Sequence, residues 1–247
     1  MTTRSKRILV LSDIHGNLPA LQSVLQDAGE VDGVWCLGDL VGYGPYPNEC
    51  IELIREQKEL LCVMGNHDAG MLGRISLGMF NHDAQVSLKW VKTVISEGCW
   101  EFLRSLPDQE KADKTTLVHG SPRNSIWEYI LDPGIARDNF DSFDTPLSMV
   151  GHTHLPIAYS YFEDLKEVEW TLGKKDKPMK LEHRAILNPG SVGQPRDHDP
   201  RAAYAIFYPR RMTWEFHRVE YDVEMVQDAI NKAGLPAKHA SRLTEGW

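Results

Sequence analysis

Short apolar runs alternate with amphipathic stretches through the first half of the chain. The run at 7–12 is continuously apolar from Ile8 to Leu11, as in strands that are buried on both faces of a sheet. The next stretch has leucines at helical spacing, a proline in its first turn and Gly29 at its end, which predicts a helix over 18–28. A second helix is predicted from Pro47, because acidic residues come early and basic residues late. The predicted strands of this part are 7–12, 34–37, 60–64, 115–118 and 147–150.

Because strands and helices alternate in this part, we expect parallel strands joined by right-handed crossovers. From residue 156 onward the pattern changes to strands separated by turns, which predicts a second, largely antiparallel sheet. Its predicted strands are 157–162, 168–172, 185–187, 202–208 and 212–219. Further helices are predicted after Asp83, around 102–106 and over 222–233.

Three segments lack a clear period. The segment 69–81 contains three glycines, and we expect a mobile loop there beside the functional site. The segment 124–143 mixes aromatic and charged residues and is expected to form a wall of the pocket. The glycine-rich loop 188–196 is open to two interpretations, one in which its backbone N–H groups bind a phosphate and one in which it only connects two strands.

Length and composition are those of one globular domain over residues 1–247, with 42% hydrophobic and 25% charged residues. The first apolar run is too short for a signal sequence or a membrane span, so we expect a cytoplasmic protein with no membrane contact. Four cysteines without a CxxC pair are expected to be buried, reduced thiols. The net charge of -8 makes duplex nucleic acid an unfavourable partner. An anionic substrate would need local positive charge, which metal ions can supply.

Polar side chains follow the predicted parallel strands at the points where those strands end. Ligands bind at the carboxyl ends of such strands, so these side chains are expected to share one site. Any single Asp or Asn among them could instead cap a turn, but their recurrence with histidines alongside favours the shared site. His152 and His154 flank one residue, which places both rings on the same side of an extended chain. The candidate metal ligands are Asp13, His15, Asp39, Asn66, His119, His152 and His154.

This set of donors has a recognisable chemistry. Seven nitrogen and oxygen ligands without a thiolate are too many for one tetrahedral zinc and fit two metals that share a carboxylate. Two metals roughly 3.5–4 Å apart can generate hydroxide near neutral pH and stabilise both oxygens of an in-line displacement. With two aspartates and one hydroxide, two divalent ions leave about one net positive charge, which favours a phosphate oxyanion. The sequence therefore predicts a centre for phosphate-ester chemistry.

Five segments, taken together and in order, resemble the signature of the calcineurin-like metallophosphoesterases. They are Asp13-x-His15, Gly38-Asp39, Gly65-Asn66-His67-Asp68, His119-Gly120 and Gly151-His152-Thr153-His154. The loop sequences at 38–45 and 188–193 are similar to those of the small prokaryotic branch, which is related to diadenosine-tetraphosphate hydrolases and small phosphodiesterases.

The resemblance implies an α/β fold, a four-layer αββα sandwich of two mixed sheets flanked by helices. By similarity, Asp13, His15 and His154 would hold one metal. Asn66, His119 and His152 would hold the other, and Asp39 would bridge them. His67 would not ligate but would protonate the leaving oxygen or steady the transition state.

Substrate contacts are expected from Asn66, from Arg123 and from the loop at Ser191. The cofactors implied are two divalent transition-metal ions, with Mn²⁺ first and Fe, Zn, Co or Ni also compatible with these donors.

Three functions are compatible with these features. The first is a two-metal phosphoesterase that hydrolyses a small phosphodiester, nucleotide or phosphomonoester by attack of a metal-bridging hydroxide. The second is a catalytically silent scaffold, as in the retromer subunit that shares this fold but lacks the catalytic histidine. The third is a nuclease. The presence of His67 favours the enzyme, the acidic charge weighs against the nuclease, and the sequence carries no signal for an oligomeric state.

Overall fold

The computed structural model describes residues 6–112, 114–173 and 177–247. In chain order, the strands are β1 (Ile8–Leu11), β2 (Gly33–Cys36), β3 (Leu61–Cys62), β4 (Gln109–Ala112), β5 (Thr115–Val118), β6 (Leu147–Met149), β7 (Pro156–Phe162), β8 (Glu167–Leu172), β9 (Met179–Lys180), β10 (Arg184–Pro189), β11 (Ala202–Tyr208) and β12 (Thr213–Val219). The helices are α1 (Leu18–Ala28), α2 (Pro47–Arg55), α3 (Asn66–Leu72), α4 (His82–Val94), α5 (Glu97–Ser105), α6 (Pro133–Asn139), α7 (Val223–Lys232) and α8 (Ala237–Glu245).

Local sequence accounts for the first helix. The side chain of Asn17 accepts the backbone N–H of Ala20 at 3.2 Å and so caps α1 at its start. Pro19 lies in the first turn, where its missing N–H costs no hydrogen bond. The helix ends at Ala28 because Gly29 takes a φ of 64°. The predicted bounds of this helix are confirmed.

The strands form two six-stranded mixed sheets. The first has the order β3-β2-β1-β11-β12-β9, and β1, β2 and β3 run parallel in it. The second has the order β4-β5-β6-β10-β7-β8, and β5, β6 and β10 run parallel in it.

Strand β1 shows how the layers pack. Ile8 and Val10 belong to a core cluster between the two sheets. Leu9 and Leu11 belong to a second cluster, between the first sheet and the helices α1 to α5. Successive side chains of a strand point to opposite faces, so one apolar strand serves two cores. A third cluster joins α6 to the outer face of the second sheet. The predicted αββα sandwich is confirmed.

The prediction that the strands after residue 156 build a separate sheet is wrong. Strands β11 and β12 belong to the first sheet, where β11 pairs antiparallel with β1. All four residues of β1 are buried, so its backbone needs a neighbouring strand on each edge. β2 satisfies one edge and β11 the other. The second sheet accordingly takes β5 and β6 from the first half of the chain.

The prediction of a loop over 69–81 is wrong for residues 69–72, which are helical. Residues 66–72 form α3, and Ala69, Gly70 and Met71 are buried. A Cβ at Gly70 would lie 2.8 Å from the ring of Phe80, so this glycine permits close packing rather than flexibility. β4, α6 and α8 were not predicted, because their patterns are short or mostly polar.

The cysteines follow the sequence expectation. Cys36, Cys50, Cys62 and Cys99 are buried free thiols. No helix in the described parts of the chain has both the length and the apolar character needed to cross a membrane.

Candidate metal centre and active site

The predicted metal ligands lie together where strands of both sheets end. Asp13 follows β1 and Asp39 follows β2, while His119 and His152 follow β5 and β6 of the facing sheet. Each of the seven predicted ligands is at most 3% exposed to solvent. The two sheets therefore bring these polar side chains to a single buried position.

Five of these residues have a left-handed backbone, which L-residues other than glycine rarely adopt. The φ angles are 55° for Asp13, 49° for His15, 56° for Asp39, 64° for His152 and 62° for His154. Such a conformation costs roughly 1–2 kcal/mol per residue. Strained residues of this kind cluster at functional sites, where the surrounding structure holds them in place.

Backbone hydrogen bonds hold this conformation. The N–H of Asp13 donates to the carbonyl of Gly38 at 3.0 Å, and that of His15 donates to the carbonyl of Asp39 at 2.9 Å. The N–H of His152 donates to Oδ2 of Asp13 at 3.1 Å. The loops after β1, β2 and β6 are thus tied to one another at the site.

Four histidine rings each have one nitrogen bonded to a backbone carbonyl. The pairs are His15 Nδ1 with Val41 at 3.0 Å, His119 Nδ1 with Leu37 at 2.7 Å, His152 Nε2 with Trp127 at 3.2 Å, and His154 Nδ1 with Gln194. A carbonyl can only accept, so each of these nitrogens carries the proton. Where the ring is neutral, its other nitrogen has its lone pair directed into the site, which is the usual arrangement of a metal-binding histidine.

These inward nitrogens face one another in two close pairs. His15 Nε2 lies 3.2 Å from His154 Nε2, and His119 Nε2 lies 3.2 Å from His152 Nδ1. Burial lowers the pKa of His15, His152 and His154 well below the usual 6.5. Between His15 and His154, whose rings are both neutral, the facing lone pairs repel each other, and a cation between them would remove that repulsion. The residues present therefore fit bound metal ions.

Asp39 lies between the two pairs of histidines. Its Oδ2 is 3.6 Å from His15 Nε2 and 3.4 Å from His119 Nε2. Burial lowers the pKa of His119, but the Asp39 carboxylate opposes this and raises it to about 9. Asp39 thus favours a positive charge beside it.

The possible ligand atoms fall into three overlapping groups, each within 4.8 Å. The groups are Asp13, His15 and His154; Asp39, His119 and His152; and His15, Asp39 and His67. In the first group, Oδ1 of Asp13 is 3.2 Å from His154 Nε2, and this buried oxygen has no hydrogen-bond partner in the described part of the chain. An unpaired buried carboxylate oxygen is itself a feature that a cation would satisfy.

His67 is buried beside these groups but differs from the other four rings. Its backbone N–H donates to Oδ1 of Asp39 at 2.8 Å, and its ring centroid lies 4.5 Å from that of Tyr43 and 5.2 Å from that of Phe80. Its Nδ1 has no hydrogen-bond partner among the described residues. Burial lowers the pKa of His67 well below the usual value, so the ring is neutral at pH 7.

The two predicted substrate contacts lie in different surroundings. Asn66 is part of the centre, with its Oδ1 3.0 Å from His119 Nε2. Arg123 is not brought into the ligand groups. Its guanidinium bonds Glu128 at 2.6 Å and Asp138 at 3.4 Å, and its side chain is 40% exposed.

The glycine-rich loop 188–196 behaves as a connector that holds the centre. The N–H groups of Val192 and Gly193 donate to the carbonyls of Ser12 and Asp13, at 3.0 and 2.9 Å. The hydroxyl of Ser191 donates to the carbonyl of Asp13 at 2.9 Å. These groups are already bonded, which disfavours the interpretation that they bind a phosphate.

Asp68 is a positioning residue whose role was not deduced from the sequence, although it belongs to the signature Gly65-Asn66-His67-Asp68. Its carboxylate accepts the backbone N–H groups of Asp39, Leu40, Val41 and Gly65, at 2.9, 3.0, 3.3 and 3.0 Å. Burial raises its pKa to about 7. The residue fixes the loop that presents Asp39.

Aromatic residues of the segment 124–143 cover one side of the centre, as expected. The ring of Tyr129 stacks on His152 with centroids 3.7 Å apart, and Trp127 contacts both His152 and Phe80. Sequence reasoning identified the segment from its aromatic content but not these two residues.

A sandwich of two mixed sheets that gathers carboxylates and histidines at its strand ends is the architecture expected of a metal-dependent phosphoesterase, and comparison with known proteins places the chain in that class. Residues 6–164 match the family described as calcineurin-like phosphoesterase. The chain belongs to this family. The predictions of family, fold class and metal-dependent phosphoesterase activity are thereby confirmed.

Two relatives extend over nearly the whole chain. A metallophosphoesterase from Sphaerobacter thermophilus, known from a crystal structure, is 46% identical with a TM-score of 0.91 and covers 99% of this chain and 100% of its own. An uncharacterised protein of Methanocaldococcus jannaschii is 40% identical over 246 residues, which is 97% of this chain and 98% of that protein. A symmetrical bis(5'-nucleosyl)-tetraphosphatase of Pseudomonas syringae is 36% identical over 69 residues, or 26% of this chain and 24% of that enzyme.

Proposed function

We propose that this phosphoesterase holds two divalent cations and hydrolyses a phosphate ester of a small nucleotide. The observation that carries the proposal is the presence of two close histidine pairs on either side of Asp39. In the pair His15 and His154 two unprotonated nitrogens face each other, and in the pair His119 and His152 the charge of Asp39 favours a cation. One such pair would call for one cation. Two pairs that share a carboxylate call for two.

In this proposal each cation has its own ligands. Asp13, His15 and His154 would hold the first, Asn66, His119 and His152 would hold the second, and Asp39 would be shared by both. When bound, two divalent ions supply hydroxide near neutral pH and neutralise phosphate oxygens. Nitrogen and oxygen donors without thiolate suit Mn²⁺, and also Fe, Zn, Co and Ni. The chemistry supplied would be an in-line attack of hydroxide on phosphorus, with the ester oxygen as the leaving group.

His67 acts on the substrate rather than on a cation. The four ligand histidines each donate a hydrogen bond to a backbone carbonyl, which fixes the ring, whereas the Nδ1 of His67 has no such partner in the described residues. With its pKa lowered by burial, the ring is neutral and donates an N–H hydrogen bond to the leaving oxygen. Asn66 and Arg123 remain proposed substrate contacts, although Arg123 would first have to leave Glu128.

A nucleotide substrate is proposed from the relationship to the tetraphosphatase, which is 36% identical to this chain over 69 residues. The intact His67 favours an enzyme over a silent scaffold, and the net charge of -8 favours a small substrate over duplex nucleic acid. We also propose that residues 1–247 form one domain that acts in the cytoplasm.

The proposal is tested by hydrolysis of a chromogenic phosphodiester and the matching monoester. Metal-stripped protein is assayed with and without Mn²⁺, together with Asp39→Asn, which keeps an oxygen for the His67 N–H but loses the shared charge. We expect turnover only with Mn²⁺, two ions bound per chain in equilibrium dialysis, and a loss of more than about 100-fold in the variant. Turnover without metal, or two ions bound by Asp39→Asn as tightly as by the wild type, would contradict the proposal.

A further inference from the structure

Arg196 lies at the end of the loop 188–196, beside the centre, and differs from several other arginines of the chain. Arg74, Arg123, Arg201 and Arg218 each form an ion pair with a carboxylate. In the described ranges no carboxylate lies within ion-pair distance of Arg196, and its Nε is buried without a hydrogen-bond partner. A buried, unpaired guanidinium nitrogen is costly unless a ligand satisfies it.

Contacts on two sides hold Arg196 against the centre. Its Nη2 donates to Oε1 of Gln194 at 3.3 Å, and the carbonyl of the same Gln194 accepts from His154. Arg196 also lies near Tyr129, where its positive charge opposes the effect of burial, which raises the pKa of that phenol. The guanidinium is thus linked through Gln194 to His154, a histidine of the first proposed metal group.

A second arginine lies near the first. Arg242, in α8, also has a buried Nε without a partner, and its guanidinium carbon is 5.1 Å from the ring centroid of Trp247. Burial and then the charge of Arg196 lower its pKa, while Tyr43 and Asp83 oppose this. No ion pair joins Arg242 to Asp83 or to another carboxylate in the part of the chain described. Two positively charged side chains that act on each other, each with an unused Nε donor, favour an anion near them.

We propose that Arg196, assisted by Arg242, binds a second phosphate of the substrate, linked to the phosphate that is hydrolysed. This inference rests on the proposed function and narrows the substrate to a compound with at least two linked phosphates, such as a nucleoside or dinucleoside polyphosphate. The guanidinium fork matches phosphate oxygens bidentately. Arg196 is a specificity residue in this arrangement, and the phosphate at the metals does not need it.

The test compares two probes that differ by one phosphonate. Methylenediphosphonate carries two linked anionic groups that are not hydrolysed, and methylphosphonate carries one. Both are used as competitors of bis(p-nitrophenyl) phosphate hydrolysis with Mn²⁺, at equal free Mn²⁺ concentration. The proteins are the wild type, Arg196→Gln, Arg196→Lys, Arg242→Gln and the control Arg104→Gln, which changes an exposed arginine in the last turn of α5.

In Arg196→Gln, inhibition by methylenediphosphonate should weaken about 10- to 100-fold, as expected for lost hydrogen bonds to a charged group. Inhibition by methylphosphonate should change less than about threefold, because that probe does not reach the arginine. Arg196→Lys should recover part of the affinity, since it keeps the charge but not the fork. Arg104→Gln should match the wild type. Equal changes for both probes, or no change for the diphosphonate, would overturn the inference.

Calorimetric titration of methylenediphosphonate into the Mn²⁺-loaded wild type and Arg196→Gln separates this inference from the proposed function. If the wild type has no turnover, the proposed function fails, yet a binding difference between the two proteins still supports the second phosphate site. If turnover is present and binding is equal, only the inference fails. Should Arg196→Gln not fold by its melting curve, Arg196→Lys and Arg242→Gln give the same comparison.

Discussion

His67 differs from the four neighbouring histidines in the bonds around its ring. Those four each donate one N–H to a backbone carbonyl and direct the other nitrogen into the centre. His67 has a buried Nδ1 without a partner in the described residues. Residue identity alone does not separate these roles, because all five are histidines at the ends of strands. The roles are separated by whether one ring nitrogen has a backbone carbonyl as its hydrogen-bond partner.

His67→Ala is expected to bind two Mn²⁺ ions and to lose about 10²- to 10⁴-fold in kcat, the usual contribution of a positioned proton-carrying group. Metal content is measured by equilibrium dialysis and turnover with the chromogenic esters. The control is His82→Ala, because His82 is 88% exposed at the start of α4. Undiminished turnover in His67→Ala would remove this residue from the mechanism, and loss of metal would make it a ligand.

The segment between β5 and β6 is the element that covers the centre, and Glu128 holds it together. Its carboxylate accepts hydrogen bonds from the Ser121 hydroxyl at 2.6 Å, from Arg123 at 2.6 Å and from Asn139 at 2.9 Å. These bonds fix the stretch that carries Trp127. The hydrogen bond from Arg123 is the main cause that lowers the pKa of Glu128 to about 2. The hydrogen bonds from Ser121 and Asn139 also lower this pKa, and burial opposes them.

Glu128→Gln should therefore lower the free energy of unfolding in a pH-dependent way. The folded pKa lies below the usual 4.5, so the stabilisation is present above about pH 4.5 and is lost as the pH falls toward 2. We expect the variant to be about 1 kcal/mol less stable at pH 7, with the difference shrinking in acid. Urea unfolding at several pH values measures it, and exposed Glu101 in α5, changed to Gln, serves as the control. A difference that stays constant with pH would contradict this account.

At the scale of the molecule, the centre joins the two sheets. Asp13 and Asp39 come from the first sheet, and His119 and His152 come from the second. Without cations, the facing lone pairs of His15 and His154 and the left-handed backbone of this region oppose folding. Ions that bind only the folded chain should therefore stabilise the whole structure.

Mn²⁺ at about 100 times its dissociation constant should add about 2.7 kcal/mol per site. For a chain of this size that corresponds to about 5–10 °C in melting temperature. Thermal unfolding of metal-stripped protein across a Mn²⁺ titration measures the shift. Asp39→Asn should show a clearly smaller shift in melting temperature than the wild type. An equal shift in both proteins would argue against a shared carboxylate.

The local sequence pattern was sufficient to predict many of the strands and helices of this protein. A continuous apolar run such as 8–11 predicts a buried strand, and a proline in the first turn with a stop at Gly29 predicts the bounds of a helix. Both depend on residues close in sequence. The polar side chains after successive strands could be assigned to one site because parallel strands end at a common edge.

Tertiary structure decided what depends on distant segments. The pairing of β11 with β1 follows from the unsatisfied edge of a buried strand, which local pattern does not reveal. Arg123 was predicted as a substrate contact but is bonded to Glu128, whereas Arg196 lies beside the centre with an unpaired nitrogen. Both are arginines near a glycine or proline in the sequence. Their roles differ because charge pairing and burial are properties of neighbours in space, and those neighbours are set only when both sheets have packed.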